Sequence, residues 1–160
     1  MAIYLDYTGI DGNVDAAGYE KCIAISNVQF GVSRGISMEC GNLNNRESTR
    51  PVLQEVIITK PADISCIGLF KESCVGKDAI KATFTFVRTG KDKVDKFMDY
   101  VLEGVLISNY SMSCTAEGEP TESITLSYTK LSINYYDFDS MNASGSPMRC
   151  GYDLAKAAPL

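Results

Sequence analysis

A chain of 160 residues with 45% hydrophobic side chains is long enough to bury a core without disulfide or metal staples, and too apolar to be disordered. Fifteen Lys and Arg against 20 Asp and Glu leave a net charge of −5, the wrong sign for a protein that neutralises nucleic-acid phosphates or lies on an acidic membrane surface. No apolar run approaches the roughly 18 residues of a membrane span, and "MAIYLDYTG" begins a strand pattern instead of a signal peptide, so folding in the cytoplasm without membrane insertion is expected.

Ile3, Leu5 and Tyr7 alternate with Tyr4, Asp6 and Thr8, a first strand, and "GIDGN" supplies turn chemistry after it. Alternation resumes at Cys22 with Ile23 and Ile25, then changes phase to Val28, Phe30 and Val32. Because strand side chains alternate strictly, the slip near Ser26-Asn27 predicts a bulge or bend of the kind that curves a sheet toward closure. From Glu39 to Arg50 the chain turns polar apart from Cys40 and Leu43, a detour longer than hairpin loops usually take.

"PVLQEVIITK" returns to strand character, with Val52, Val56 and Ile58 on one face and Leu53 and Ile57 on the other. A short helix follows in "PADISCIGLFKESCVGKD", with Asp63 placed to cap it, Ile67, Phe70 and Cys74 on one stripe, and Gly76 at its exit. Next, Ile80, Ala82, Phe84 and Phe86 alternate with Lys81, Thr83 and Thr85, and "TGKDK" is a turn. Val94 to Met112 fits either a helical stripe or a strand. The period-2 face of Met98, Tyr100, Leu102, Leu106, Tyr110 and Met112, with Gly104 in the middle, favours a bent strand whose Asp99 and Glu103 are wet. After the polar turn "TAEGEPT", the apolar phase moves from Ile124, Leu126 and Tyr128 to Leu131, Ile133 and Tyr135, a second predicted bend, and the chain ends in a polar tail.

These elements predict a mainly β fold: an antiparallel β-barrel of six to eight strands, one short α-helix and a long extended loop or hairpin arm, as one domain over residues 1–160. The face of Lys81, Thr83, Thr85, Asp99 and Glu103 is open to two readings, solvent or the lining of a wet channel or subunit seam.

Chemistry is sparse. No histidine is present, which removes the commonest general base and any Ser-His or Cys-His pair, and G-x-S-x-G, P-loop and G-x-G-x-x-G motifs are absent. The carboxylate pairs Glu117/Glu119 and Asp137/Asp139 fall in turn-like segments and read as solvated loops. Six cysteines lack metal-ligand spacing and read as reduced, small buried hydrophobes. Neither a catalytic residue, a metal nor a cofactor is expected.

Taken in order, "IYLDYTGIDGNV", the kinked "IAISNVQFGVS", the detour, "VIITKPADISCIGLFKESCVGK", "VLEGVLISNYS" and "PTESITLSYTKLSINYY" resemble the Hcp family (haemolysin-coregulated protein) of the bacterial type VI secretion system. The resemblance covers nearly the whole chain, although the histidine, the tryptophan and the glycine-rich detour of many members are missing. It implies a non-catalytic tube subunit: a homo-hexameric ring that stacks into a hollow tube within a contractile sheath, is ejected with a spike (VgrG-like) protein, and carries effector proteins in its lumen. The detour then becomes an assembly arm, with Glu39, Asn42, Asn44, Asn45, Arg46, Glu47 and Arg50 as its contact residues. A bacteriophage tail-tube subunit, and less closely a small-ligand barrel or minor hydrolase, are the alternatives.

Overall fold

The computed structural model describes residues 1–38, 40–41, 46–76, 80–89, 94–137 and 146–160. β1 (Ala2–Tyr7), β2 (Ile23–Ile25) and β3 (Asn27–Gln29) come first; β4 (Val32–Ser33), β5 (Ile36–Met38), β6 (Arg46–Ser48) and β7 (Val52–Leu53) form the arm. β8 (Val56–Pro61) leads into α1 (Ser65–Val75), and β9 (Ile80–Thr89), β10 (Val94–Ser113), β11 (Thr121–Ser127), β12 (Lys130–Tyr135), β13 (Met148–Asp153) and β14 (Ala158–Pro159) complete the chain. Every ladder among them is antiparallel.

The organising element is β10, 20 residues long. β12 pairs with its first half, from Met98↔Tyr135 to Glu103↔Lys130, and β11 with its second, from Leu106↔Ser127 to Ser113↔Thr121. The two ladders run in line, so β11 and β12 are one long strand bent at Tyr128-Thr129, as the second phase change predicts. Opposite the bend lies Gly104, at φ +63°, where the β9 ladder also shifts register. Thr129 presses on this point: its N–H and Oγ1 both donate to the Glu103 carbonyl, at 2.9 and 3.0 Å. A Cβ on residue 104 would overlap the Thr129 hydroxyl. Only glycine satisfies both the dihedral and the space.

Beyond the bend the neighbours part. β12 continues to β13 and β14, while β11 continues to β8 and β3. On the other side of β10, β9 leads to β1 and β2. The first phase change supplies the second corner, because β2 pairs with β1 and β3 with β8, Ser26 being the single residue between them. The strands thus follow a barrel-like circuit that passes through a covalent corner at Ser26. No ladder joins β2 to β3 among the described residues, so the barrel is not closed by hydrogen bonds.

Leu5, Tyr7, Ile23, Val56, Ile58, Phe84, Leu102, Val105, Ile124 and Leu126 fill the interior, as strand alternation requires. The face assigned to β10 needs correction. Gly104 inverts its phase, so Val105 and Ile107 turn inward and Leu106 is exposed; a second bulge between Ile107 and Asn109 turns Tyr110 back toward the core, while Met112 remains exposed.

Asp99 is not on a wet face: it is 4% exposed. It sits between Thr85 and Asn134 in the middle of three strands, receives the Lys96 ammonium at 2.8 Å, and accepts hydrogen bonds from Asn134 Nδ2 and Tyr136 OH. Burial pushes the Lys96 ammonium down, but hydrogen bonds to Asp99 and Tyr136 outweigh it and the net shift is upward. Glu103 does stay exposed, 3.4 Å from Lys130.

Two other expectations fail. Val52 is exposed, because the strand is interrupted before Val56 and its first piece belongs to the arm. The polar tail ends in strands β13 and β14, which extend the sheet and turn around buried Asp153, whose Oδ1 accepts the Lys156 N–H at 3.0 Å. The "TGKDK" turn lies largely outside the described residues.

Replacing Gly104 by Val should cost about 3 kcal/mol in urea unfolding, from a forced left-handed dihedral and the Thr129 clash, and Thr129→Ala in the same chain should recover part of it. A Gly104→Val variant as stable as the parent would show that the kink does not depend on this residue.

Alkali should also unfold the chain. Burial, with Glu72 adding to it, pushes the Tyr7 hydroxyl up to about 12; burial pushes Tyr128 up to about 12, and burial with the Glu122 hydrogen bond raises Tyr110. The unfolded chain releases these protons near pH ~10 while the folded chain keeps them, so stability is complete below about pH 10 and is lost as pH rises toward about 12. Urea midpoints measured from pH 9 to 12 should fall steadily across that window, and a flat profile would contradict the assignment.

Candidate assembly surfaces

Among the described residues no group of three or more Cys, Asp or Glu is placed to hold a metal ion. Glu117 and Glu119 are exposed in the turn between β10 and β11; Asp137 is exposed, and Asp139 lies outside the described residues. All six cysteines are free thiols, and none is buried: Cys22 and Cys66 are half-buried and Cys40, Cys74, Cys114 and Cys150 exposed. The expectation of buried small hydrophobes is therefore corrected, since the apolar positions they mark fall on the helix surface, in turns and at the sheet's extension.

The polar detour is the tip of a two-stranded arm. β4 pairs with β7 at its root, and β5 with β6 further out, in the register Ile36↔Ser48, Ser37↔Glu47, Met38↔Arg46. Between the two ladders Thr49 N–H donates to the Gly35 carbonyl at 2.9 Å, Gly35 N–H donates to the Thr49 hydroxyl at 2.9 Å, and Arg34 Nε donates to the Thr49 carbonyl at 2.7 Å. Among the described residues neither arm ladder joins the main sheet. Of the expected contact residues, Arg46 and Glu47 fall in β6, Arg50 is exposed beyond it, and Glu39, Asn42, Asn44 and Asn45 lie outside the described residues. Val32, Ile36 and Val52 are exposed apolar side chains on the arm.

Beside the arm root is an open apolar groove of about 270 Å³, formed by Phe30, Val32, Pro51 and Leu53 facing Leu131, Ile133 and the β13–β14 hairpin. It exists because β13 and β14 carry the sheet's inner face past the strands that would cover it.

The opposite end of β8 carries α1. Asp63 organises its start without being the cap residue: Asp63 Oδ1 accepts from both Ser65 N, at 2.9 Å, and Ser65 Oγ, while the cap position is Ile64. Gly76 ends the helix at φ +61°, its N–H bonded to the Glu72 carbonyl. The stripe turned inward is Ser65, Leu69 and Glu72. Ile67 and Phe70, which share an apolar stripe in the sequence, are 74% and 55% exposed, and Cys74 is exposed. Gly68 explains the choice, since Ile10 packs directly against it and the helix must present this small residue to the body.

Sequence reasoning missed the charge cluster beneath this helix. The inward faces of β8 and β11 end in Lys60 and Glu122, which the register sets directly opposite each other, both fully buried. Lys60 Nζ pairs with Glu122 Oε2 and lies 2.9 Å from Asp63 Oδ1; Tyr110 OH donates to Glu122 Oε1. The signal was present as the patterns Val56-Ile58-Lys60 and Glu122-Ile124-Leu126, where a cation and an anion end two inward rows.

A buried pair of this kind is broken at high cost by removing one member. Lys60→Met should therefore destabilise by about 3–5 kcal/mol, and Lys60→Met with Glu122→Leu by clearly less than the two single changes added together. Denaturant melts of the four chains would test this, and simple additivity would mean that the pair is not coupled.

The fold and these surfaces can now be set beside known proteins. No curated protein sequence matches the chain. A structure described as that of a type six secretion system protein is 21% identical, with 99% of each chain covered and a TM-score of 0.88. Hcp1 from Salmonella typhimurium is 18% identical over 99% of this chain and 98% of its own, with a TM-score of 0.78. The secreted protein Hcp3 from Pseudomonas aeruginosa is 16% identical over 95% and 97%, at 0.67. At such identities these likenesses establish the fold. The sequence itself carries the assignment further, because the family described as "Type VI secretion system effector, Hcp" matches residues 4–135, from the first strand to the end of β12, and the chain therefore belongs to the Hcp family of the type VI secretion system.

Proposed function

We propose that this chain is a structural tube subunit of a bacterial type VI secretion system and not an enzyme. It folds in the cytoplasm as one unit over residues 1–160 and assembles as homo-hexameric rings. The rings stack into a hollow tube inside a contractile sheath, and the tube leaves the cell with a spike protein while effector proteins ride in its lumen. The observation that carries this reading, beyond family membership, is the arm: a paired, partly apolar hairpin that, among the described residues, joins no ladder of its own subunit's main sheet. An edge of that kind is a liability in a monomer unless another chain covers it. Glu39, Asn42, Asn44, Asn45, Arg46, Glu47 and Arg50 are the residues assigned to that contact, charged and amide groups that set register and orientation more than raw affinity.

Two measurements test the reading together. Mass photometry of the purified chain, without metal, nucleotide or lipid, should give a particle of about six times the 17.4 kDa chain; a folded monomer at micromolar concentration would remove the ring. Replacing residues 38–46 by Asn-Gly keeps Ser37↔Glu47 as the last pair of a tight hairpin and should leave circular dichroism unchanged while tubes and secretion are lost. Secretion undiminished by the shortened arm would make the detour an ordinary loop.

A further inference from the structure

Helix α1 turns its polar side in and its apolar side out. The inward stripe is Ser65, Leu69 and Glu72, so Leu69 is the one apolar side chain the helix buries fully, while Ile64, Ile67, Phe70 and Val75 are between 55% and 74% exposed. Phe70 meets the Tyr110 ring edge-on at 5.7 Å, and Ile10 packs on Gly68. The helix has little of its own to hold it. It is 11 residues long, Ile64 at the cap position makes no side-chain cap bond, the first turn holds no acidic residue and the last no basic one, and Gly68 lies inside it. Helices of that length and composition are marginal without tertiary support.

What the helix covers is largely polar. Lys60 and Glu122 are fully buried beneath it, held by Asp63 and Tyr110. Tyr7 is 2% exposed, and burial, with the Glu72 carboxylate of α1 adding to it, keeps the proton on its hydroxyl. That hydroxyl is the one buried side-chain polar atom among the described residues with no hydrogen-bond partner. Closing the helix withdraws all these groups from water, and for Tyr7 nothing replaces the hydrogen bond that is lost. Opening it restores water to Tyr7 and leaves Lys60 and Glu122 opposite each other in the β8–β11 ladder.

We infer that α1 is a lid: residues 65–76 leave the end of the barrel as one unit while the strands stay folded. Its attachments allow this. β8 ends at Pro61, where the Ala62 N–H is held by the Pro120 carbonyl, β9 begins at Ile80, and the chief strand contact of the helix is with β10. The closed position is well defined, because Asp63 fixes Ser65, yet little buried apolar surface holds it. Elements of that kind open below the global transition. The inference is independent of the tube reading, since it concerns the fold of a single subunit.

Native-state hydrogen exchange of the purified chain, resolved by peptide mass spectrometry, tests the lid. Amides of residues 66–75 should exchange together, at least about a hundredfold faster than those of β10 once intrinsic rates are divided out, and with a shallower urea dependence. Tyr7→Phe removes the unpaired hydroxyl and should slow this opening about tenfold. Leu69→Ala removes the apolar anchor and should leave the helix amides unprotected while those of β9, β10 and β11 stay protected. Helix amides that exchange only together with the strands, at one rate and one urea slope, would overturn the inference. So would opening that Tyr7→Phe leaves unchanged or accelerates, or a Leu69→Ala chain whose strands lose protection along with the helix.

Discussion

The whole molecule turns on a single close approach, the Thr129 side chain against the bare Cα of Gly104. β10 with its bent partner β11–β12 is one ribbon that must serve two sheets, and a straight ribbon cannot do so. The positive φ at Gly104 and the paired hydrogen bonds from Thr129 to the Glu103 carbonyl turn both strands at one level. Neighbours that were side by side then diverge, β13 extending one sheet and β8 folding into the other. The interior lies between these branches, and the arm and helix sit at opposite ends because β8, on the second branch, joins them.

Buried charge fixes the helix end. An ion pair held under a helix is weak as a source of net stability, since desolvation of Lys60 and Glu122 opposes their attraction. Its value is positional. Lys60 on β8, Glu122 on β11, Tyr110 on β10 and Asp63 before α1 come from four separate segments, and their hydrogen bonds are satisfied together only when those segments meet in one arrangement. Asp63 passes the constraint on to Ser65 and so to the first turn of α1. An all-apolar interior would tolerate a rotated helix. This one does not, and the rotation it enforces leaves Ile67 and Phe70 facing outward.

That enforced rotation explains much of what the sequence conceals. Strand identity was legible wherever one face is buried and the other is not, as in Ile80 to Phe86, and both phase changes marked real corners. Helix orientation was not legible, because the pattern Ile67-Phe70-Cys74 looks like a core stripe and the true inward stripe, Ser65-Leu69-Glu72, is two-thirds polar. The faces of β10 were obscured by two bulges in one strand, each of which inverts the alternation that a reader extrapolates. Asp99 looked wet because its acceptors are satisfied by Lys96, Asn134 and Tyr136, partners that local sequence cannot bring together. The β13–β14 hairpin hid behind a polar composition that long-range pairing overrode. The arm was legible as an excess of polar chain between two strand patterns, whereas the meeting of the 114–120 turn with Ile64, some fifty residues away in sequence, is a property of tertiary structure set by Pro61↔Thr121.

The surface carries more periodic apolar side chains than a buried stripe would leave there. Ile67 and Phe70 lie on an apolar stripe and Leu106 and Met112 on an apolar strand face, patterns that ordinarily mark core, and the structure leaves all four on the surface. For a chain that stays alone, so much exposed apolar surface around one helix would be an aggregation hazard. For a subunit it is the reserve from which contacts are made, and the physical problem becomes holding that surface soluble until the partner arrives. A net charge of −5 gives every copy the same sign and so opposes random encounter. Solvent ions screen that repulsion beyond roughly 8–10 Å, whereas burial of apolar surface acts only at contact. The charge that keeps copies apart and the apolar surface that would join them therefore act over different distances, and a contact forms only where the second outweighs the first.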